Sequence, residues 1–164
     1  MYEESLQMPL LIRYPDQIAA GTVRDEIVVN VDFGPTLLDL CGVNSAEQVQ
    51  GRSFAPLLVG DDIEDWPTSM YYRYWMHNDG SHACPAHYGV RTRTHKLICY
   101  YNDPLDQPGA RGPADPIEWE LFDLIADPLE VNNIYGLPEA CDITASLVAE
   151  LSRLQSEVGD EPFT

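Results

Sequence analysis

Histidines and basic side chains gather around one stretch of this sequence, residues 87–101. Three of the four histidines lie in the stretch or just before it: His82, His87 and His95. Four of the nine Lys and Arg residues lie there or nearby, namely Arg73, Arg91, Arg93 and Lys96. Because the whole chain carries a formal net charge of -18, an anionic ligand is expected first at this basic, histidine-bearing stretch.

These side chains suggest two kinds of binding chemistry, coordination of a metal ion and binding of an anion. The spacing His82-x-Cys84-x-x-His87 combines imidazole and thiolate, which are zinc ligands, but a fourth ligand at a recognisable spacing is missing. Arg91 and Arg93 could hold an anion by bidentate hydrogen bonds, or could equally be an exposed strand face paired with some of the many acids. The sequence lacks a Gly-rich phosphate loop, H-E-x-x-H and G-x-S-x-G, so the commonest local catalytic signatures are excluded.

The acidic composition narrows the classes of partner. Twenty-seven Asp and Glu residues against nine Lys and Arg residues argue against a nucleic-acid surface, because phosphate-backbone binding needs clustered cations. No apolar run is long enough to span a bilayer, and residues 1–5 lack the basic and apolar regions of a signal peptide. The expectation is therefore a chain with no nucleic-acid partner and no membrane segment.

Two short strands are predicted to hold the histidine-bearing stretch. Residues 88–92 and 96–101 are rich in β-branched and aromatic residues and are separated by a polar loop, the pattern of a β-hairpin. Strands are also predicted at residues 69–75 and 118–124, with a loop rich in Pro, Gly and Asp over residues 102–116. Because no helix intervenes, these strands predict a four-stranded antiparallel meander.

Two helices are predicted after the sheet. Asp127, as N-cap, and the following proline predict a short helix running toward Asn133. A longer helix, capped by Asp142 and ended by Gly159, is predicted to cover one face of the sheet. Its apolar residues recur at intervals of three and four, and they are Leu147, Leu151, Leu154 and Val158.

The first part of the chain has the character of an α/β layer. Residues 8–14 form a nearly continuous apolar run, which is typical of a strand buried on both faces of a parallel sheet. Residues 32–42 predict a helix capped by Asn30 or Asp32, and residues 53–58 predict at most one further helical turn.

Acidic, turn-rich residues 60–67 mark a boundary, which divides the chain into residues 1–60 and residues 61–164. A buried parallel strand needs neighbours that so short an N-terminus does not supply, so something is expected to precede this chain. Without those neighbours, apolar faces stay uncovered, and residues 1–58 are expected to associate or to be loosely ordered in isolation.

The sequence resembles the C-terminal part of a formylglycine-dependent sulfatase, of the alkaline-phosphatase-like superfamily. The resemblance runs from end to end, and no single piece decides it. The residues that carry it are Met1-Tyr2-Glu3-Glu4-Ser5, residues 9–15, residues 31–42 (Val-Asp-Phe-Gly-Pro-Thr-Leu-Leu-Asp-Leu-Cys-Gly), residues 50–53, His82, residues 87–92, residues 96–98, Trp119-Glu120-Leu121-Phe122-Asp123-Leu124, Asp127-Pro128, Glu130 and Asn132-Asn133.

This resemblance implies a fold and implies which catalytic parts lie outside this chain. Residues 1–60 would be the incomplete C-terminal portion of the catalytic α/β domain, and residues 61–164 a subdomain of antiparallel sheet and terminal helix. In such sulfatases, the C-x-P-S-R or C-x-A-S-R signature that becomes formylglycine, and most calcium ligands, lie upstream of this region. Formylglycine and calcium are therefore expected in the full-length enzyme and not in this chain, which is expected to be catalytically incompetent without the missing N-terminal catalytic portion.

The resemblance also implies a substrate class. It extends to glycan-directed members, such as those acting on 6-sulfated N-acetylglucosamine, so a sulfated carbohydrate is the expected substrate. His82 and His87, with Arg91 behind them, are the residues expected to bind it. Gln7 stands where the family often has Arg, and residues 75–77 depart from a more usual tyrosine and small-residue run. A phosphodiesterase or phosphonate hydrolase of the same superfamily, and a sugar-binding module without chemistry, are the alternatives.

Overall fold

The computed structural model describes residues 2–44 and 49–160, which fall into two compact units. Of the described residues, the sheet unit joins residues 2–7 to residues 69–160, and the helical unit comprises residues 8–44 and 49–68. The division of the complete protein into domains at about residue 60 stays a prediction.

Four strands of six residues each build the sheet unit. They are β1 (Ser69–Tyr74), β2 (His87–Thr92), β3 (His95–Tyr100) and β4 (Glu118–Asp123). Each strand pairs antiparallel with the next, so the order across the sheet is β1-β2-β3-β4. A turn at Arg93 and Thr94 sets the register of the central hairpin, in which Arg91 faces Lys96. The predicted hairpin and the predicted four-stranded meander are confirmed.

One face of the sheet packs against α4 (Cys141–Val158), as its leucine pattern predicts. The buried core between them consists of Ala86, Tyr88, Val90, Leu97, Cys99, Tyr101, Leu121, Ala140, Leu147, Leu151 and Leu154. Val158 stays 42% exposed at the helix end, and Gly159 follows in the left-handed conformation with a φ of 70°. The predicted cap at Asp142 is wrong, because a 3₁₀ turn over Pro138–Ala140 leads directly into the helix and Asp142 lies in its first turn.

The other face of the sheet carries mostly aromatic and ionisable side chains. Strand residues alternate between faces, so on β2 this face receives His87, Gly89 and Arg91. The N-terminal segment with α1 (Glu3–Leu6) belongs to this unit, and the ring of Tyr2 contacts that of Phe122 at 6.0 Å. This face therefore holds all the residues of β2 that were predicted to bind a ligand.

The strand predicted over residues 8–14 is wrong. The segment has no regular secondary structure, and its apolar side chains are open to solvent, with Leu11 94% and Met8 73% exposed. Among the described residues, no strand pairs with it, and a parallel strand is stable only with neighbours on which to form its ladder.

The helical unit contains α2 (Phe33–Leu40) and α3 (Ala55–Val59), both of which were predicted. Asp32 stands at the N-cap position of α2, but its carboxylate accepts the backbone N–H of Val29 at 2.9 Å and that of Arg52 at 2.8 Å. The predicted capping of α2 by an Asn30 or Asp32 side chain is therefore wrong. Phe54, Leu57 and Trp66 form the small core of this unit.

The short helix predicted from Asp127 to Asn133 is also wrong. Asp127 binds the backbone N–H groups of Val131 and Asn132, beyond the first helical turn, at 2.8 and 2.7 Å. Glu130 has a φ of 54°, in the left-handed region, which is incompatible with a continuing α-helix. The capping motif therefore closes a turn here. Across residues 2–44 and 49–160, no helix combines the length and the apolar character that crossing a bilayer requires.

Candidate functional site

A groove of about 580 Å³ opens beside the end of β1, next to the start of β2. Its lining residues come from the end of β1, from the segment after it and from the loop between β3 and β4, and they are Tyr74, Met76, Asp79, Gly80, Ser81, His82, Gly109 and Arg111. His77, which is 1% exposed, joins the two segments, because its carbonyl accepts the backbone N–H of Arg111 at 2.8 Å. Its Nδ1 accepts the N–H of Ala86 at 3.2 Å, which ties the same loop to the sheet.

Asp79 organises the loop that carries His82. One carboxylate oxygen accepts the backbone N–H groups of Ser81 at 2.6 Å and of His82 at 2.8 Å, which is a turn closed by an acidic side chain. The other oxygen lies 3.0 Å from His82 Nδ1 and accepts the hydroxyl of Tyr74. The hydrogen bond from Tyr74, with those from His82 and Ser81, holds the pKa of Asp79 well below its usual range.

His82 is held by one nitrogen and exposed at the other. Its side chain is 72% exposed. Since Nδ1 is engaged by Asp79, this nitrogen carries a proton and Nε2 faces outward. The imidazole can therefore offer Nε2 to a ligand as an acceptor when neutral, or as a donor when protonated.

His87 is buried, with 1% of its surface exposed. Its Nδ1 donates to the carbonyl of Pro85 at 2.6 Å, and within the described chain its Nε2 has no hydrogen-bond partner. Burial disfavours the charged imidazolium and lowers the pKa of His87 to about 4. At neutral pH this histidine is therefore an uncharged ring in an aromatic setting.

Tyr74 connects the two histidines. Its ring stacks on His87 at a centroid distance of 5.4 Å, and its hydroxyl donates to Asp79. That hydrogen bond raises the pKa of Tyr74 to about 12, since the phenolate would lose the bond and face a carboxylate. Tyr100 and Tyr72 pack against the same imidazole, at 5.2 and 5.8 Å. The structure thus brings His82 and His87 together through Tyr74 and Asp79.

Arg91 lies at the other end of β2, in a buried charge cluster. Its Nη2 donates to Glu3 at 2.8 Å, and Lys96 Nζ lies 2.9 Å from the same carboxylate. Lys96 also pairs with Glu130 at 2.5 Å, and these two side chains are 0% and 1% exposed. Burial raises the pKa of Glu3, but hydrogen bonds from Arg91 and Lys96 outweigh it and leave the pKa below its ordinary value. Arg91 is therefore separated from the two histidines and fixes the N-terminal segment on the sheet.

The sequence and the fold can now be placed among known proteins. Residues 1–157 match the family described as N-sulphoglucosamine sulphohydrolase, C-terminal. The chain belongs to this family. The predicted membership of the sulfatases is confirmed, and so is the fold class, an α/β part of the alkaline-phosphatase-like type followed by a four-stranded antiparallel sheet with a C-terminal helix.

Sulfatases of known sequence and structure are similar to this chain over almost its whole length. An N-acetylglucosamine-6-O-sulfatase of Bacteroides thetaiotaomicron is 41% identical over 98% of this chain and 27% of its own length. Arylsulfatase K of Rattus norvegicus is 32% identical over 92% of this chain and 25% of its own length. The structure of BT4656 in complex with its substrate D-glucosamine-2-N,6-O-disulfate superposes with a TM-score of 0.77, at 37% identity, over 88% of this chain and 27% of that one. The chain thus spans about a quarter of the length of these relatives.

Formylglycine and calcium, which sulfatases use in the full-length enzyme, do not fit the residues present here. In the part of the chain that the structure describes, no three His, Cys, Asp or Glu side chains converge to hold a metal ion. His87 Nδ1, which lies 4.0 Å from Cys84 Sγ, donates to the carbonyl of Pro85 and so is not free to bind zinc. None of the four cysteines stands in a C-x-P-S-R or C-x-A-S-R sequence. Neither group is therefore assigned to this part of the enzyme.

Three side chains that the structure shows to be important were not identified from the sequence, namely Asp79, Glu3 and Arg111. Asp79 could have been found, because Asp-Gly-Ser just before His82 is a turn pattern whose acid binds backbone N–H groups. Glu3 carries no such signal, since its partners are about 90 residues away. Arg111 lies in a loop whose composition indicates only that it is irregular.

Proposed function

We propose that this chain forms one wall of the substrate pocket of a sulfatase, and that the complete enzyme hydrolyses sulfate esters of carbohydrates. The observation that carries the proposal is the 41% identity to an N-acetylglucosamine-6-O-sulfatase over 98% of the chain. The groove supports it, because it combines an aromatic ring, an outward imidazole nitrogen and a guanidinium. Such groups bind sugars through ring stacking and hydrogen bonds to hydroxyl or sulfate oxygens.

In this proposal His82 is the residue that touches the substrate. Asp79 fixes its tautomer and orientation, so Nε2 accepts a hydrogen bond from a sugar hydroxyl or, when protonated, donates one to a sulfate oxygen. His87 acts on the same ligand through Tyr74, whose ring it supports from the buried side. A neutral ring at this place keeps Tyr74 in position without adding a buried charge.

Arg91 has a supporting role in the proposed pocket. Its guanidinium binds Glu3 and thereby holds residues 2–7 against the sheet. Direct binding of substrate by Arg91 stays a prediction, and it would require Arg91 to release Glu3 or to share its donors.

The chain by itself is proposed to be inactive. The groups that attack the sulfate ester and neutralise its charge belong to the missing N-terminal catalytic portion, which is the necessary partner of this chain. The purified chain and the complete enzyme should be compared on an aryl sulfate and an aryl phosphate. We expect turnover of the sulfate by the complete enzyme alone. A strong preference for the phosphate would instead favour the phosphodiesterase or phosphonate hydrolase alternative.

His82 is tested in the complete enzyme by the His82→Ala variant. We expect KM for 6-sulfated N-acetylglucosamine to rise about tenfold, because one hydrogen bond to the sugar is lost, with a smaller change in kcat. The matched control is His95→Ala, which removes an imidazole outside the groove and should leave KM unchanged. Equal KM values for His82→Ala and the unaltered enzyme would refute the proposed contact.

A further inference from the structure

Arg111 supplies the guanidinium of the groove, but the proposed function assigns it no particular group of the substrate. Its side chain lines the groove beside His82, and it makes no hydrogen bond or ion pair with any residue in the described parts of the chain. Four basic side chains of the same unit behave differently, since Arg73, Arg91, Lys96 and Arg153 each pair with a carboxylate.

This isolation is unusual for a chain of formal net charge -18, in which carboxylates outnumber cations three to one. An exposed guanidinium in such surroundings normally pairs with an acid. The acid that lines the groove, Asp79, is already occupied, because its two oxygens accept from Tyr74, Ser81 and His82. The donors of Arg111 therefore remain free to bind an anion.

The backbone of Arg111 is anchored, and its side chain lies over a glycine. The backbone N–H of Arg111 donates to the carbonyl of buried His77 at 2.8 Å. The side chain then crosses over Gly80, where an added Cβ would lie 2.7 Å from Arg111 Nη2. A glycine at this place lets the guanidinium approach the loop that carries His82.

From this geometry we propose that Arg111 is a specificity-determining residue that binds a second anionic group of the carbohydrate substrate, apart from the sulfate ester that is cleaved. The inference rests on the proposed function and deepens it. The second group is a sulfate or a carboxylate, since a guanidinium binds both by paired hydrogen bonds. His82 and Arg111 line one groove, so a hydroxyl and an anionic group of the same ligand meet them together.

The test compares three substrates of the complete enzyme. One is 6-sulfated N-acetylglucosamine, the second is the 2-N,6-O-disulfated glucosamine, and the third is 6-sulfated N-acetylglucosamine linked to a uronic acid. In Arg111→Met we expect KM to rise about tenfold for the second or the third substrate and less than twofold for the first. Whichever of the two responds identifies the second group as a sulfate or as a carboxylate.

Two further variants separate charge from position. Arg153→Met removes the same charge outside the groove and should leave all three KM values unchanged. Gly80→Ala keeps the charge but displaces the guanidinium, so it should weaken binding of the same substrate that Arg111→Met weakens. An equal effect of Arg111→Met on all three substrates, or no effect on any of them, would overturn the inference.

Failure of the proposed function gives a different result. If the unaltered enzyme hydrolyses none of the three sugars, the proposed function is wrong. Calorimetry of the complete enzyme with the disulfated glucosamine and with the uronic-acid-linked sugar then decides the inference on its own. Binding of either sugar that Arg111→Met weakens about tenfold supports it, and binding that is absent or unchanged by the substitution for both sugars refutes it.

Discussion

The burial of His87 makes the stability of the sheet unit depend on pH. The native state keeps this imidazole neutral down to a pKa of about 4, whereas an exposed histidine in the unfolded chain has a pKa of about 6.5. Between these values the unfolded chain binds a proton that the native chain does not. The free energy of unfolding therefore falls as pH is lowered through this window, by about 1.4 kcal/mol for each pH unit.

A range from pH 7 to pH 5 is suitable for the measurement, because it stays above the isoelectric point of about 4.2. At pH 5, 1.5 units below the unfolded pKa, the expected loss is about 2 kcal/mol. Urea unfolding followed by circular dichroism at pH 7, 6 and 5 measures it. Carboxylates also titrate near the lower end, so the unaltered chain must be compared with His87→Phe, which keeps an aromatic ring against Tyr74 and Tyr100.

The expected result is a difference in pH dependence. Between pH 7 and pH 5 the unaltered chain should lose about 2 kcal/mol more than His87→Phe does. A nuclear magnetic resonance titration of the His87 ring should show the neutral form still dominant at pH 5. Parallel stability curves for the two proteins, or a ring that titrates between pH 6 and pH 7, would refute the reasoning from burial.

Three further outcomes are expected for the purified chain. Lys96→Met should lower the free energy of unfolding by about 3–5 kcal/mol, since it leaves buried Glu130 without its cation. The double variant Lys96→Met with Glu130→Leu should recover most of that loss. If the costs of the two substitutions add instead, Lys96 and Glu130 do not stabilise each other. Gly89→Ala should lower the free energy of unfolding by about 1–3 kcal/mol, because the added Cβ would lie 2.5 Å from the Leu97 carbonyl oxygen. The control is Gly34→Ala, where an added Cβ meets open space, and it should not lower the stability in the same urea titration. Amide hydrogen exchange should be fast over residues 8–14, and slow exchange there would show that the segment is paired.

The sheet and α4 could be predicted because their signals are local. Alternating and aromatic residues define each strand, and short connections force neighbouring strands to pair in chain order. The leucine period of α4 fixes which side of that helix is buried. Such patterns indicate which face of its own strand or helix a side chain occupies. That information is sufficient to predict a meander covered by one helix.

The wrong predictions share a physical cause, which is that one local sequence pattern is compatible with two different backbone conformations. Residues 8–14 have the apolar content of a buried strand, but a strand also requires a neighbour, and none pairs with it in the described structure. Asp127 has the character of a helix cap, but the left-handed conformation of Glu130 turns the chain away after one turn. Glu130 then directs its carboxylate toward buried Lys96, so an interaction over 34 residues overrides the local preference.

The candidate site was less predictable than the fold. His82 and His87 were identified by residue type, yet their different burial follows from the strand start at His87 and from the turn at Asp79. The groove itself is assembled by His77, which joins two loops about 30 residues apart in the chain. Arg111 becomes distinctive only when the pairing of the other cations is known, and that pairing is a property of the folded chain.

The cluster around Glu3 has a consequence for biosynthesis. Glu3 and Arg91 are separated by 88 residues, so a ribosome working at about 5–20 residues per second takes roughly 4–18 s between them. During that interval the acidic segment at the start of the chain has no basic partner, and the hairpin that supplies one emerges late. Glu3 can therefore pair with Arg91 and Lys96 only after β3 has been made, long after its own synthesis.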